Sequence, residues 1–378
     1  MFVTSQGNGI DRSCGPSGCE LDWLTSQRHR IDDDDIAAFT AFANQNGWGD
    51  GLPLIPPTEA RVREMLSRSG RFPDEIIAVL PPLGAECTVE KAAINAVLAG
   101  APPHSLPLIL AAVEAMADPL FNLSALNTTT GSVVPAVLVN GPNRDFYGIP
   151  YDAGCFGGTA VAAPAVGRAI RLIMRNIGGQ LIGVTSQAVF GQPGRVCGIM
   201  VGEWEERSPW APLAERRAGV AGDAVTVYGA MGTTNIADME ADDGRTLLEV
   251  LGKGLAQLGA NGFLPQAAFS EVFLAINPTW ADMIARDVPA IEDVARLIWN
   301  AAALPIDWFP RRYRAGIEAV GRLQADGRVH LVQDPADVVT MVCGGLGSLH
   351  AMAMHSWGDT RTVTRPVATV ATAVGSVP

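Results

Sequence analysis

Six cysteines, at positions 14, 19, 87, 155, 197 and 343, are the residues of this 378-residue chain best suited to covalent chemistry. Cys155 stands in YDAGCFGGTAVAAPAVGRAIRLIMRNIGG (151–179). There Gly157, Gly158 and Thr159 lead into apolar positions of helical period: Val161, Val166, Ile170, Ile173 and Ile177. The pattern predicts a thiol just ahead of a helix N-terminus, where free N–H groups favour a thiolate and an anionic ligand. Arg168, Arg171 and Arg175 follow at i, i+3 and i+7 and form one cationic stripe. Arg168 and Arg171 become substrate anchors if that stripe faces a cleft. The same residues also fit a buried cysteine in a tight turn beside a solvated arginine face.

Cys14 and Cys19 flank Gly-Pro-Ser-Gly in SCGPSGCELDW, a spacer that lets the chain fold back until the sulfurs meet. A redox pair or two thiolate ligands to a soft metal would follow. The spacing is not that of a zinc ribbon or a thioredoxin motif, and an inert arm fits equally well. Glu90 falls in the first turn of a helical pattern. It complements the helix dipole, and becomes an acid–base group only if that helix end faces the site. Histidines 350 and 355 lie five residues apart in CGGLGSLHAMAMHSWGD (343–359), so they do not form an i, i+4 metal pair. Gly344 and Gly345 can bring backbone amides close to an anion. Asn140 joins them as a substrate-binding candidate, because it ends a β-rich run, where α/β proteins place their chemistry. No GxSxG elbow, Walker loop, HExxH or strand-linked GxGxxG is present. Serine hydrolase, nucleotide phosphotransfer, zincin and simple dinucleotide-dependent readings lose ground accordingly. No metal site and no cofactor is specified.

These residues need elements to hold them. Helical patterns run over IAAFTAFANQNGW after Asp32–Asp35, from Glu59 behind a Thr58 cap, over TVEKAAINAVLAG between Thr88 and Gly100, and from Leu106 to Met116. SVVPAVLVNGP (132–142), AVTVYGAMGTT (224–234), EVFLAINPTW (271–280) and DVVTMVCGGLG (337–347) are β-rich runs halted by glycine, Asn-Gly-Pro or Asn-Pro. Their alternation with helices predicts an α/β fold with largely parallel or mixed sheets, flanking helices and two intimately packed halves. The expected divisions are a cysteine-containing arm over 1–31, an N-terminal half over 32–202 and a C-terminal half over 223–378. The aperiodic, charged stretch 203–222 lies between the halves.

A formal charge of −12 argues against nucleic acid or an anionic membrane as partner. The N-terminus has no basic segment followed by an apolar run, and sparse cysteines suit reduced thiols, so a cytoplasmic protein is expected. Charged residues make up 17% against 48% hydrophobic, too few to cover a large monomer, and a homo-oligomer is expected.

Three segments together resemble an uncharacterised bacterial family: NGWGDGLPLIPPTEARV (46–62), GCFGGTAVAAPAVGRAIRLIMRNIGG (154–179) and PGRVCGIMVGEWEERSPWAPL (193–213). Its members are often encoded beside a small protein with a UGSC or CGSC motif. The resemblance implies thiol or selenol chemistry shared with such a subunit. It carries over no catalytic residue, and the Cys14–Cys19 arm lies outside it. The combined expectation is a thiol-dependent lyase or oxidoreductase acting on a small polar or anionic molecule, with cleavage of a carbon–heteroatom bond, reductive or by elimination, as the reaction a thiol suits. Cys155 would be its nucleophile, with Cys14 and Cys19 resetting the thiol. A metal-dependent hydratase or lyase, and a non-catalytic partner of a small redox protein, are the alternatives.

Overall fold

The computed structural model describes residues 2–5, 24–29, 35–267 and 269–368. Eight strands build its centre: β1 (Val134–Asn140), β2 (Ile199–Gly202), β3 (Ala224–Ala230), β4 (Thr234–Ala237), β5 (Val272–Ile276), β6 (Val338–Val342), β7 (His350–His355) and β8 (Val363–Pro366). They form two four-stranded sheets, ordered β8-β3-β1-β2 and β4-β7-β5-β6. Each sheet has one parallel pairing, β1 with β2 and β5 with β6, and its other pairings are antiparallel. The fold is therefore α/β with mixed sheets.

Every residue of β1, β3, β5 and β6 is buried, which explains their continuous apolar runs. Strand alternation then assigns the two faces. On the first sheet Val137, Val139, Val225 and Val227 pack against helices α1 (Val89–Ala99), α2 (Leu106–Met116) and α3 (Ala163–Asn176). On the second, Leu274, Ile276, Val342 and Ala353 pack against α4 (Gly244–Leu255), α5 (Pro278–Asp287) and α6 (Ile291–Ala301). The inner faces meet each other: Ala136, Leu138 and Tyr228 lie against Phe273, Val339 and Met354. Tyr228 donates its hydroxyl across this layer to the Met354 carbonyl at 2.8 Å. The result is four layers, helix, sheet, sheet, helix. Among the described residues no helix is long and apolar enough to cross a membrane.

The halves repeat one plan and exchange one strand. In both, a central strand pairs in parallel with the next and antiparallel with the third. The fourth strand then crosses over. β4 follows β3 yet pairs with β7, and β8 follows β7 yet pairs with β3. Even local details correspond. Glu203 N–H donates to the Val139 carbonyl after β2, as Cys343 N–H donates to Ile276 after β6. Asn140, the last residue of β1, and Asn277, the first residue after β5, are counterparts. Residues 203–222 run between β2 and β3, so the first sheet takes strands from both sides of the expected boundary.

Helix ends follow local chemistry. Thr88 accepts from Lys91 N–H at the start of α1, and Gly100, at φ +77°, ends it in the left-handed region. α3 departs from expectation. It begins at Ala163 with Pro164 in its first turn, well beyond Cys155, because residues 152–162 form successive turns.

Candidate functional site

Where the turn after β6 meets the 153–157 segment, the edge strand β4 and its neighbour β7, a cleft of about 660 Å³ opens between the halves. Cys155 and Cys343 both line it, each almost wholly buried. Cys343 follows β6 directly. Cys155 is held by the turns after β1, with its N–H donating to the Asp152 carbonyl at 3.1 Å. Gly344 stitches the two segments together through an N–H bond of 2.8 Å to the Tyr151 carbonyl. Its φ of +97° is one that glycine adopts without strain. A Cβ on Gly345 would lie 3.2 Å from the Ala153 Cβ, so close approach also asks for glycine there.

The two thiols are hydrogen-bonded, with opposite effects. The bond from Cys343 lowers the Cys155 thiol below its usual range; burial opposes it, and the N–H groups of Cys155 and Gly344 reinforce it. Cys343 is raised well above its usual range, first by that same bond and then by burial. The arrangement favours the thiolate on Cys155 and keeps the proton on Cys343. Cys87 provides a contrast, since burial pushes it up to about 12. Helix α3 begins too far along to act on Cys155, so the expected helix N-terminus is replaced by a neighbouring thiol and two backbone amides.

Around the pair, the cleft has a polar rim and an apolar wall. Asn235, Asn277, Ser348 and His350 line it together with Ala275 and Met352. Asn277 is fixed, accepting from Trp280 N–H at 2.9 Å and donating to the His350 carbonyl at 2.9 Å. Asn235 is exposed beside it.

Of the residues expected from sequence, Cys155, Gly157, Gly344 and Gly345 border this cleft, while Gly158 and Thr159 are not among its lining residues. Cys14 and Cys19 lie outside the described residues. Arg168 and Arg171 do not border it, and they are buried rather than a solvated stripe. Arg168 grips Asp50 with two bonds of 2.7 Å, and Arg171 bonds the Arg195 carbonyl and Gln180. Asn140 is buried against Glu203 and Glu205, at 2.6 and 2.8 Å. Its counterpart Asn277 is the one that reaches the cleft.

Glu90 is fully buried away from the cleft, where its carboxylate accepts from Thr25 N–H, Thr25 Oγ1 and Ser26 N–H. This clasps residues 25–26 to α1 and leaves the carboxylate fully engaged. Glu90→Ala is expected to destabilise the fold by about 3 kcal/mol through three unmatched donors, without slowing Cys155 alkylation. Urea titration and alkylation rates measure the two effects separately.

Cys343, Asn235, Asn277 and His350 were missed as site residues. The available signal was the repeat itself: Cys343 follows its strand just where Glu203 follows β2. Among the described residues no three His, Cys, Asp or Glu side chains gather closely enough to hold a metal ion. A scan against protein-family models finds no match for this chain, and a search of curated proteins finds none either.

Proposed function

We propose that the protein is a thiol-dependent enzyme acting on a small polar molecule, with Cys155 as nucleophile and Cys343 as proton donor and resolving thiol. The observation that carries the reading is a pair of free, buried thiols from different halves that line one open cleft; each acts on the other, Cys155 being lowered and Cys343 raised. Reductive cleavage of a carbon–heteroatom bond R–X suits this pair. The Cys155 thiolate forms a bond to R as X departs with the Cys343 proton. The Cys343 thiolate then attacks Cys155 Sγ, and R leaves with the bonding electrons and takes a proton from water. The products are R–H, H–X and a Cys155–Cys343 disulfide, so two thiols are oxidised as the substrate is reduced. R leaves best when a carbonyl beside it stabilises the charge, and Asn235 stands where an amide could donate to that oxygen. An external dithiol resets the disulfide. A small UGSC- or CGSC-type protein, or the Cys14–Cys19 segment, has the chemistry for that role. The working form is proposed to be a homo-oligomer.

Rate-resolved alkylation, followed by mass spectrometry from about pH 5 to 9, tests the reading. Cys155 is expected to react first at neutral pH, well ahead of Cys87 and Cys343. Native protein in which Cys155 stays unreactive across that range would make the cysteine structural and end the thiol mechanism.

A further inference from the structure

A second cleft, of about 340 Å³, lies beside the C-terminal end of α3 and shares no lining residue with the cysteine cleft. Arg171 and Arg175 enter it from α3, and Arg195 enters from the 194–197 turn. Three guanidinium groups line it together, and among the described residues no free carboxylate balances them. Asp50 is the one acidic residue of the lining, and both its oxygens are taken by Arg168.

Each arginine is held, or left, by neutral groups. Arg195 bonds the Val133 and Gly131 carbonyls and Ser186 Oγ, at 3.1, 3.4 and 3.1 Å. Arg171 bonds the Arg195 carbonyl, Met174 Sδ and Gln180. Burial, and then Arg195, lowers Arg171 to about 9. Arg175 makes no hydrogen bond or ion pair among the described residues, and its Nε is completely buried without a partner. Arg171 is buried and Arg175 and Arg195 are half-buried, and cations drawn out of water without counter-charge are costly. Among the described residues no group balances this charge.

The rim shows what a balancing group would carry. Ile182, Val189 and Phe190 border the same cleft and are exposed, Phe190 to 96%. We propose that this cleft binds a small organic oxoanion, a carboxylate or a phosphate ester, with its charge on Arg171, Arg175 and Arg195 and its apolar body against Val189 and Phe190. Guanidinium groups match both oxoanions through paired N–H bonds. A volume of this size admits a single-ring molecule.

The test is calorimetric titration of the full chain with phenyl phosphate, benzoate and inorganic phosphate, in low-chloride buffer. One phenyl phosphate or benzoate per chain is expected, and the tighter of the two identifies the anion. Arg175→Gln is expected to weaken that ligand at least about tenfold. Its thermal midpoint without ligand should not fall, since Arg175 has no native partner to lose. Phe190→Ala is expected to bring phenyl phosphate down to the affinity of inorganic phosphate. Absence of binding by both aromatic probes at millimolar concentration would overturn the proposal, as would binding indifferent to Arg175→Gln. Inorganic phosphate that bound native protein as tightly as phenyl phosphate, with benzoate silent, would overturn the apolar half of it.

Discussion

Cys155→Ser protein is expected to fold as the parent does and to lose turnover by about 10⁴-fold or more, the usual scale for deleting a nucleophile. Cys343→Ala is expected to separate activation from attack. The bond from Cys343 is the largest influence lowering Cys155. Without it, the midpoint of Cys155 alkylation moves to higher pH. A hydrogen bond to a charged group is worth roughly 1.5–3 kcal/mol, so alkylation at neutral pH should slow by about tenfold or more. At alkaline pH, where both proteins carry the thiolate, the two rates should converge. A merely structural Cys343 would lower the rates equally at every pH, or leave them unchanged. Circular dichroism on both variants separates loss of reactivity from loss of fold.

Arg168→Ala is expected to destabilise the protein by about 3–5 kcal/mol, because it strands Asp50 in a largely buried position. Arg168 holds that carboxylate with two bonds of 2.7 Å, and ties the 50–53 loop to α3 through the Pro53 carbonyl at 3.0 Å. Burial alone would raise Asp50. The Arg168 bonds, helped by the Leu52 N–H, outweigh it and leave the carboxyl below its ordinary 3.8. The sign follows from that direction. The contribution is complete at neutral pH, where the unfolded carboxyl is ionised too, and fades as pH falls below about 4 through the lower folded value. Urea titrations of parent and variant should therefore differ most near neutrality and draw together in acid. A difference independent of pH would place the cost in packing of the arginine stem.

The elements were legible wherever a local signal specified them. Thr58 and Thr88 cap helices and Gly100 stops one, and the four β-rich runs all became buried strands. The start of α3 was misplaced because Gly157 and Gly158 resemble a helix approach, whereas Pro164, compatible with a first turn, marks the true beginning. The arginine stripe was misread for another reason. Spacing along a helix states which side chains share a face, not what packs there, and a distant loop brought Asp50 to Arg168. The site needed more than either signal, since Cys155 and Cys343 come from different halves and meet only when the inner sheet faces stack. Asn140 had the right form of motif, but the cleft uses the second copy.

The crossing of β4 and β8 has a consequence for how the protein is made. A ribosome delivers β1, β2 and β3 well before residues 363–366, so β3 waits with one edge unpaired while about a third of the chain is made. That strand is apolar along its length, with Thr226 awaiting the 2.8 Å bond to Thr364 Oγ1. An open apolar edge is the kind of surface that recruits other strands. Neither half can be excised as a self-sufficient unit, and a chain that stops short of Val363 should aggregate rather than fold into a smaller protein. Among the described residues, the strand that closes the first sheet is the one furthest along the chain.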